Sequence, residues 1–424
     1  MTESYLNDIT PDSLSGLIFG FEGVRHSLTI LNGPTGCKFY HSITVENQSL
    51  RKDDMDPLHY PDEWFFGQGR VPCTYLDKRD YVYGSDDKLS DAIKFILGRI
   101  TPDILVIVNT PGAALIGDDL ERIASQAVME SGFDSLPVIT CQSPGYSKDV
   151  IDGYVRAAEM VMDKLCLPED RLYPQPDGSA GNTDEHTAAS VDGSSGKTVN
   201  LIGFSLYQKY HAGDIAELTR LLDLAGIKVN TAFLCESTVD EVRKLSKADL
   251  NVVIDPDWGL KIAEELEDRF GTPFIESEYG YPVGFKAAEK LISDICSRLS
   301  ADPEPVLDDL RRARAKAYIE LARINSLTGL PKGASFKVTG TPAVKRGYST
   351  FLTEYLGMTE SDDDPEIVLA DGNTIARMKA ESRRFSGIEI SLPTIGYIDV
   401  IDKTHLGSIG GLFLIEQILN SFVY

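Results

Sequence analysis

A single thiol in a glycine-rich turn offers the most chemistry in this 424-residue chain. Cys37 closes the segment Gly33-Pro34-Thr35-Gly36-Cys37, at the end of an apolar run that begins near Leu17, so it is expected at a strand-to-loop turn. Thiolates are the usual protein ligands of iron-sulfur clusters. Glycines at 33 and 36 are expected to take positive φ and to let the backbone approach a bulky inorganic body, while Pro34 stiffens the turn. The same residues also suit a plain turn beside a buried cysteine, which packs as a small hydrophobe. A second group of chemistry-bearing residues lies where strand ends run into loops: His211, Asp255, Trp258, Tyr279, Tyr281 and His405. Open α/β sheets bind ligands outside the carboxyl ends of their strands, which makes these six the candidates for a substrate pocket in an interdomain crevice, with His211 and His405 as catalytic candidates. His405 can donate a proton or bind a metal; the plain alternative is a loop histidine held by a backbone carbonyl.

The elements that must position these groups read as α/β. An amphipathic helix over 86–100, a buried strand over 105–108, a helix opened by Asp118-Asp119-Leu120-Glu121 and a strand over 138–141 alternate, which implies a parallel sheet. Composition then shifts to Pro, Asp, Gly, Ser, Thr and Asn over 173–197, the mark of a flexible linker. Beyond it, strands over 199–203, 229–234, 250–254 and 273–275 alternate with helices over 213–224, 238–245, 260–270 and 285–299, a Rossmann-like half. A helix over 305–327 leads to a third unit with strands over 335–338 and 365–369 and a closing helix over 410–422. The expected division is an N-terminal α/β domain carrying the cysteine turn (1–172), the linker (173–197), a Rossmann-like domain (198–300) and a C-terminal helix plus Rossmann-like domain (301–424).

The formal net charge of −24 argues against nucleic acid or an anionic membrane as partner, because phosphate binding needs clustered Lys and Arg. Residues 1–12 contain no basic segment followed by an apolar stretch, and no later stretch is apolar for long enough to span a bilayer, so a cytoplasmic protein is expected. Six cysteines (Cys37, Cys73, Cys141, Cys166, Cys235, Cys296) stand far apart without a Cys-x-x-Cys pair, which disfavours both a disulfide framework and a closed zinc knuckle. No Gly-x-Gly-x-x-Gly, Walker A, Gly-x-Ser-x-Gly or His-Glu-x-x-His sequence offers a nucleotide or hydrolytic reading.

Taken together, Gly20-Phe21-Glu22-Gly23-Val24, Asn32 to Cys37, Arg79-Asp80-Tyr81-Val82-Tyr83-Gly84-Ser85 and Ala114-Leu115-Ile116-Gly117-Asp118-Asp119-Leu120 resemble the nitrogenase component 1 family in content, order and separation. Ala212-Gly213-Asp214-Ile215-Ala216-Glu217-Leu218 and Leu406-Gly407-Ser408-Ile409-Gly410-Gly411-Leu412 extend the resemblance over nearly the whole chain. It implies three Rossmann-like domains with parallel sheets, and a subunit that pairs with a homologous component 1 subunit or a second copy of itself. It also implies electrons from an ATP-dependent iron protein, relayed through an iron-sulfur cluster at the subunit interface to a substrate or metallocofactor between the domains. An assembly scaffold for a metallocofactor and a bare structural partner are the other roles within its compass.

On this resemblance Cys37, with Gly36 beside it, falls on the family's cluster ligand in the glycine-rich turn. Two further thiols of a full ligand set are missing: Pro11-Asp12-Ser13 stands near the first and Asn109-Thr110-Pro111 at the third. Cys73, on the segment that follows the turn, is the candidate second thiolate, and Asp12 a candidate oxygen donor or else a helix cap. Tyr83 falls at the docking surface above the cluster. Asp255 stands where catalytic subunits carry the cysteine that holds the iron-molybdenum cofactor, so the chain looks like the second, non-cofactor type of subunit. A cluster here must borrow ligands from Cys73, an oxygen donor or a second subunit.

Overall fold

The computed structural model describes residues 11–41, 70–142, 148–166, 197–381, 384–396 and 399–422. The expected linker lies outside them except for Lys197. The apolar run near Leu17 divides in two. Asp12 accepts the Ser15 amide at 3.0 Å and caps helix α1 (Ser13–Glu22), and the chain then turns into strand β1 (Ser27–Asn32). Every residue of α1 is buried, so it presents no polar face to water. Cys37 sits not in a loop but in the short helix α2 (Thr35–His41).

The first unit continues with α3 (Asp80–Tyr83), α4 (Asp86–Leu97), β2 (Ile104–Asn109), α5 (Leu120–Glu130), β3 (Val138–Cys141) and α6 (Val150–Leu165). Strands pair in the order β1-β2-β3, all parallel, with Leu31 opposite Val108. On α4 the buried residues Leu89, Ile93 and Leu97 recur every four positions and pack on this sheet, the pattern of a one-faced helix. Helix α1 crosses α6 at backbone contact: a Cβ on Gly16 would lie 1.9 Å from the Val150 carbonyl, and one on Gly153 2.0 Å from the Ser13 carbonyl. No side chain fits at either position.

The second unit runs β4 (Thr198–Ile202), α7 (His211–Leu224), β5 (Lys228–Ala232), α8 (Val239–Val242), β6 (Leu250–Val253), α9 (Pro256–Phe270), β7 (Phe274–Glu276) and α10 (Gly284–Leu299). Helix α11 (Glu304–Thr328) leads to β8 (Ser335–Val338), α12 (Pro342–Thr350), β9 (Thr359–Glu360), β10 (Ile367–Asp371), α13 (Gly372–Ala380), β11 (Ser386–Ser391) and α14 (Gly407–Ser421). The two parallel sheets have orders β5-β4-β6-β7 and β11-β10-β8-β9. In each, the first strand of the unit is flanked on both sides by later strands, so connections leave in opposite directions between β4 and β6 and between β8 and β10. Those two switch points are where a Rossmann-like sheet opens a crevice.

Candidate functional site

The segment after residue 70 lies alongside β1. Leu31 donates its amide to Pro72 O at 2.9 Å, Thr74 to Leu31 O at 3.0 Å, and Leu76 to Gly33 O at 2.9 Å. This ladder seats buried Cys73 under the glycine turn. Its thiol donates to Gly33 O at 3.1 Å and lies 3.8 Å from Pro34 O, the carbonyl that accepts the Cys37 amide at 3.1 Å. Cys37 and Cys73 therefore share one turn, and the charge of a Cys37 thiolate would raise the cost of ionising Cys73. Burial pushes the Cys37 thiol above its ordinary range, with Thr110 opposing and the Asp12 charge adding to the rise. Burial likewise raises Cys73, against the Tyr75 amide and Lys38, which favour its thiolate. Both are neutral thiols at pH 7 until a metal displaces the proton.

The glycines act differently from the expectation. Neither Gly33 nor Gly36 has positive φ. Gly33 makes room for Thr110, whose Oγ1 would stand 2.3 Å from a Cβ, whereas a Cβ on Gly36 would meet nothing within 4 Å. Among the described residues nothing covers Gly36, and the buried Thr110 hydroxyl, which favours the Cys37 thiolate, has no other partner there. Two thiols beside a face that the described residues leave open fit part of a cluster's ligand set. Among the described residues no three His, Cys, Asp or Glu side chains converge as a metal site, so a cluster held here would need further ligands.

A buried polar chain holds this face together. The Asn32 side chain accepts from Thr74 Oγ1 at 2.9 Å and donates to Asn109 at 2.9 Å and to Ser85 Oγ at 3.2 Å. Ser85 Oγ in turn donates to Asp118 at 2.5 Å, and Thr74 Oγ1 also accepts the Gly33 amide at 3.0 Å. Asp119 caps α5. The Gly-Asp-Asp block is a clamp: it ties α3 to the cysteine turn. The neighbouring segments carry exposed apolar side chains: Tyr75 two residues after Cys73, Val82 and Tyr83 (82% accessible) on α3, and Leu115 (83%) five residues after Thr110. Asp12 caps α1 and pairs with His41 Nδ1 at 3.1 Å; burial raises its carboxyl, but His41 and Ser15 outweigh that and hold it low.

The second region is a cavity of about 310 Å³ between the two switch points. Gln208, Asp255, Trp258 and Tyr281 line it from the second unit; Thr341 and Asp371 are among those facing it from the third. Gly203, at φ +96°, permits the contact that closes the first crevice, since a Cβ there would fall 2.6 Å from the Asp255 carbonyl. Asp255 caps α9, accepting the Asp257 amide at 3.0 Å and Gln208 Nε2 at 3.3 Å. Burial and the neighbouring Asp257 push its carboxyl up to about 7. Asp214 is raised to about 6 by burial, against donors from Tyr281, Thr404 and the His405 amide at 2.5, 2.6 and 3.0 Å.

The sequence-selected residues divide. Asp255, Trp258 and Tyr281 line the cavity, whereas His211, Tyr279 and His405 do not. His211 binds Gln208 O through Nδ1 at 2.8 Å and faces Glu236 at 3.7 Å. His405 is fully buried, held between Tyr348 and Gln417. Sequence reading misses Asp371 and Thr341; the alternation of β8, β10 and β11 as a second switch point is the signal that locates them.

A family model for nitrogenase component 1 type oxidoreductases matches residues 14–360. The chain belongs to that family. It is 22% identical over 290 residues to the nitrogenase molybdenum-iron protein alpha chain of Methanosarcina barkeri, covering 68% of this chain and 47% of that one. It is 30% identical over 262 residues to a light-independent protochlorophyllide reductase subunit of Synechococcus sp. (strain CC9902), covering 61% and 45%. To the nitrogenase iron-molybdenum cofactor biosynthesis protein NifE of Clostridium pasteurianum it is 29% identical over 209 residues, covering 49% and 39%. This component 1 relative thus spans about half the length of the curated proteins it matches. The solved structure of nitrogenase Cp1 at pH 6.5 superposes with a TM-score of 0.66 over 97% of this chain and 92% of that chain, at 14% identity, a likeness of fold. The three-sheet architecture is that of the family. No helix among the described residues is long and apolar enough to cross a membrane.

Proposed function

We propose that this chain is one subunit of a nitrogenase-like reductase, in which Cys37 and Cys73 give thiolates to an interfacial iron-sulfur cluster. A homologous subunit or a second copy of the chain completes the ligand set. An ATP-dependent iron protein is the electron donor, and the substrate lies in the interdomain cavity. The observation that carries this reading is the hydrogen bonding of the Cys73 thiol to the turn that presents Cys37, beneath the open face over Gly36. When bound, such a cluster stores and passes single electrons. The chain's own contribution is to bury Cys73 and half-bury Cys37, to aim the Tyr75 amide at Cys73 Sγ at 3.5 Å, and to place the Thr110 hydroxyl beside Cys37. Donors of this kind stabilise thiolate and tune potential. The apolar rim of Tyr83, Val82 and Leu115 suits a protein partner. Among the described residues the cavity is lined by neither thiol nor imidazole, which counts against a host for a metallocofactor under assembly.

Anaerobic purification, with iron and sulfide analysis and electron paramagnetic resonance of the dithionite-reduced protein, tests the reading. Stoichiometric iron is expected, lost by at least half in both Cys37→Ala and Cys73→Ala while the fold persists by circular dichroism. Iron content indifferent to both substitutions overturns it.

A further inference from the structure

The charge and walls of the interdomain cavity restrict what can enter it. Among the described residues its lining contains no Lys, Arg or His and includes the carboxyls of Asp214, Asp255 and Asp371. The nearby ammonium of Lys209 is already paired, with Glu389 at 3.3 Å and Asp399 at 3.0 Å. Against these described walls an anionic ligand would meet like charge.

The three carboxyls are not equivalent. Asp214 is saturated by its three donors, from Tyr281, Thr404 and the His405 amide. Asp371 caps α13, accepting Thr374 N at 2.9 Å and Thr374 Oγ1 at 2.6 Å. Asp255 is fully buried; its Oδ1 accepts the Asp257 amide at 3.0 Å and the Trp258 amide also favours its charged form, but the contact recorded for Oδ2 among the described residues is the long 3.3 Å one from Gln208. A buried carboxylate oxygen so poorly satisfied is costly unless a ligand supplies the missing donor or charge. Beside it the Tyr207 ring stacks on Trp258, with centroids 5.6 Å apart and planes 29° from parallel. Both rings line the cavity, as do Tyr210, Tyr281 and Tyr348. Aromatic faces attract weakly hydrated organic cations. A bare metal ion is a poorer match, because no three ligating side chains converge among the described residues.

We propose that this cavity binds a small organic cation of the alkylammonium type, with Asp255 as its counter-charge and Tyr207 and Trp258 as its walls. The inference rests on the cavity being the ligand site of the proposed reductase, but its test is independent of iron.

The probe is phenyltrimethylammonium, compared by calorimetry at pH 8, above the range in which Asp255 keeps its proton, with its uncharged isostere tert-butylbenzene and with benzoate, on the full chain. The cation is expected to bind at least tenfold more tightly than the isostere, and benzoate not at all. Asp255→Asn keeps the shape and the cap and should weaken the cation at least tenfold while leaving the isostere within about twofold. Tyr207→Leu, chosen in case Asp255→Asn misfolds, should weaken the cation by a comparable factor. Equal affinity for cation and isostere, binding of benzoate, or cation affinity unchanged in a folded Asp255→Asn protein overturns the proposal. Loss of iron from Cys37→Ala without change in cation binding would leave it standing, so failure of the electron path and failure of the cation site are told apart.

Discussion

Tyr348 donates its phenolic hydrogen to Nδ1 of His405 at 2.7 Å, and Nε2 of the same ring donates to Gln417 Oε1 at 2.7 Å. A glutamine carbonyl only accepts, so Nε2 carries a proton, and in the neutral ring Nδ1 is then the acceptor of the Tyr348 hydroxyl. Burial presses the imidazole's pKa down to about 3 from an ordinary 6.5. The sign of the linkage follows: the unfolded chain takes up a proton near 6.5 and the folded chain does not. The neutral ring's contribution is complete above about 6.5 and is lost as pH falls from there toward 3. His405→Gln should therefore flatten the acid limb of stability, removing a slope of up to about 1.4 kcal/mol per pH unit within that window. Urea titrations of both proteins from neutral pH downward check this; parallel limbs would mean the ring is protonated in the fold.

Asp255 has the opposite sign. Its carboxyl rises from 3.8 to about 7 through burial first and the charge of Asp257 second, so the folded chain holds a proton that the unfolded chain has released. Its effect on stability becomes unfavourable as pH climbs from about 3.8 to 7 and levels off above. Asp255→Asn imitates the protonated acid and keeps an acceptor for the Asp257 amide. We expect it to be neutral near pH 4 and stabilising by more than about 1 kcal/mol at pH 8, read from thermal unfolding at the two pH values.

Much of the fold and part of the site are legible in the residues, and the failures have physical causes. The Asn32 to Cys37 and Gly-Asp-Asp blocks mark the right turns, but their purpose lies in partners distant in sequence: Thr74 for Asn32, and Ser85 for Asp118. Gly33 suggests a dihedral role and instead yields space to Thr110, a contact between ends of neighbouring strands that no local pattern encodes. Helix α9 begins at Pro256 rather than near residue 260; Asp-Pro is an ordinary start signal, and it is masked when Asp255 is taken for a ligand position and not a cap. The third sheet is half visible. Strand β11 carries the buried Glu389, which accepts the Ile395 and Gly396 amides at 2.9 and 2.7 Å, and a charged residue inside a six-residue strand hides it from a hydrophobic pattern.

Asn32 joins four segments at a fully buried point. Asn32→Ala removes the acceptor of Thr74 and the donor to Asn109 and Ser85, leaving buried polar groups unsatisfied. The expected cost is about 1 to 3 kcal/mol in urea unfolding at unchanged m-value. Because Thr74 adjoins Cys73, the variant should also lose iron faster than the parent protein when challenged with a chelator. A simple packing defect would lower stability alike but leave the chelator rate unchanged.

Asp12 separates the two ways in which a carboxylate can serve this turn. Its Oδ1 already accepts from the Ser15 amide at 3.0 Å and Ser15 Oγ at 3.2 Å and meets His41 Nδ1 at 3.1 Å, the geometry of a helix cap with a pendant imidazole. Serine is as good a cap as aspartate, so Asp12→Ser keeps α1 in place while removing the charge that disfavours the Cys37 thiolate. If capping is the role of this residue, the variant retains its iron and its thermal midpoint within a few degrees, and the Cys37 thiol ionises at a lower pH in the metal-free protein. Thiol alkylation rates against pH measure the last effect directly, since the thiolate is the reacting form. Iron lost from Asp12→Ser to the same extent as from Cys73→Ala would instead make the carboxylate a ligand, and His41 the group that orients it.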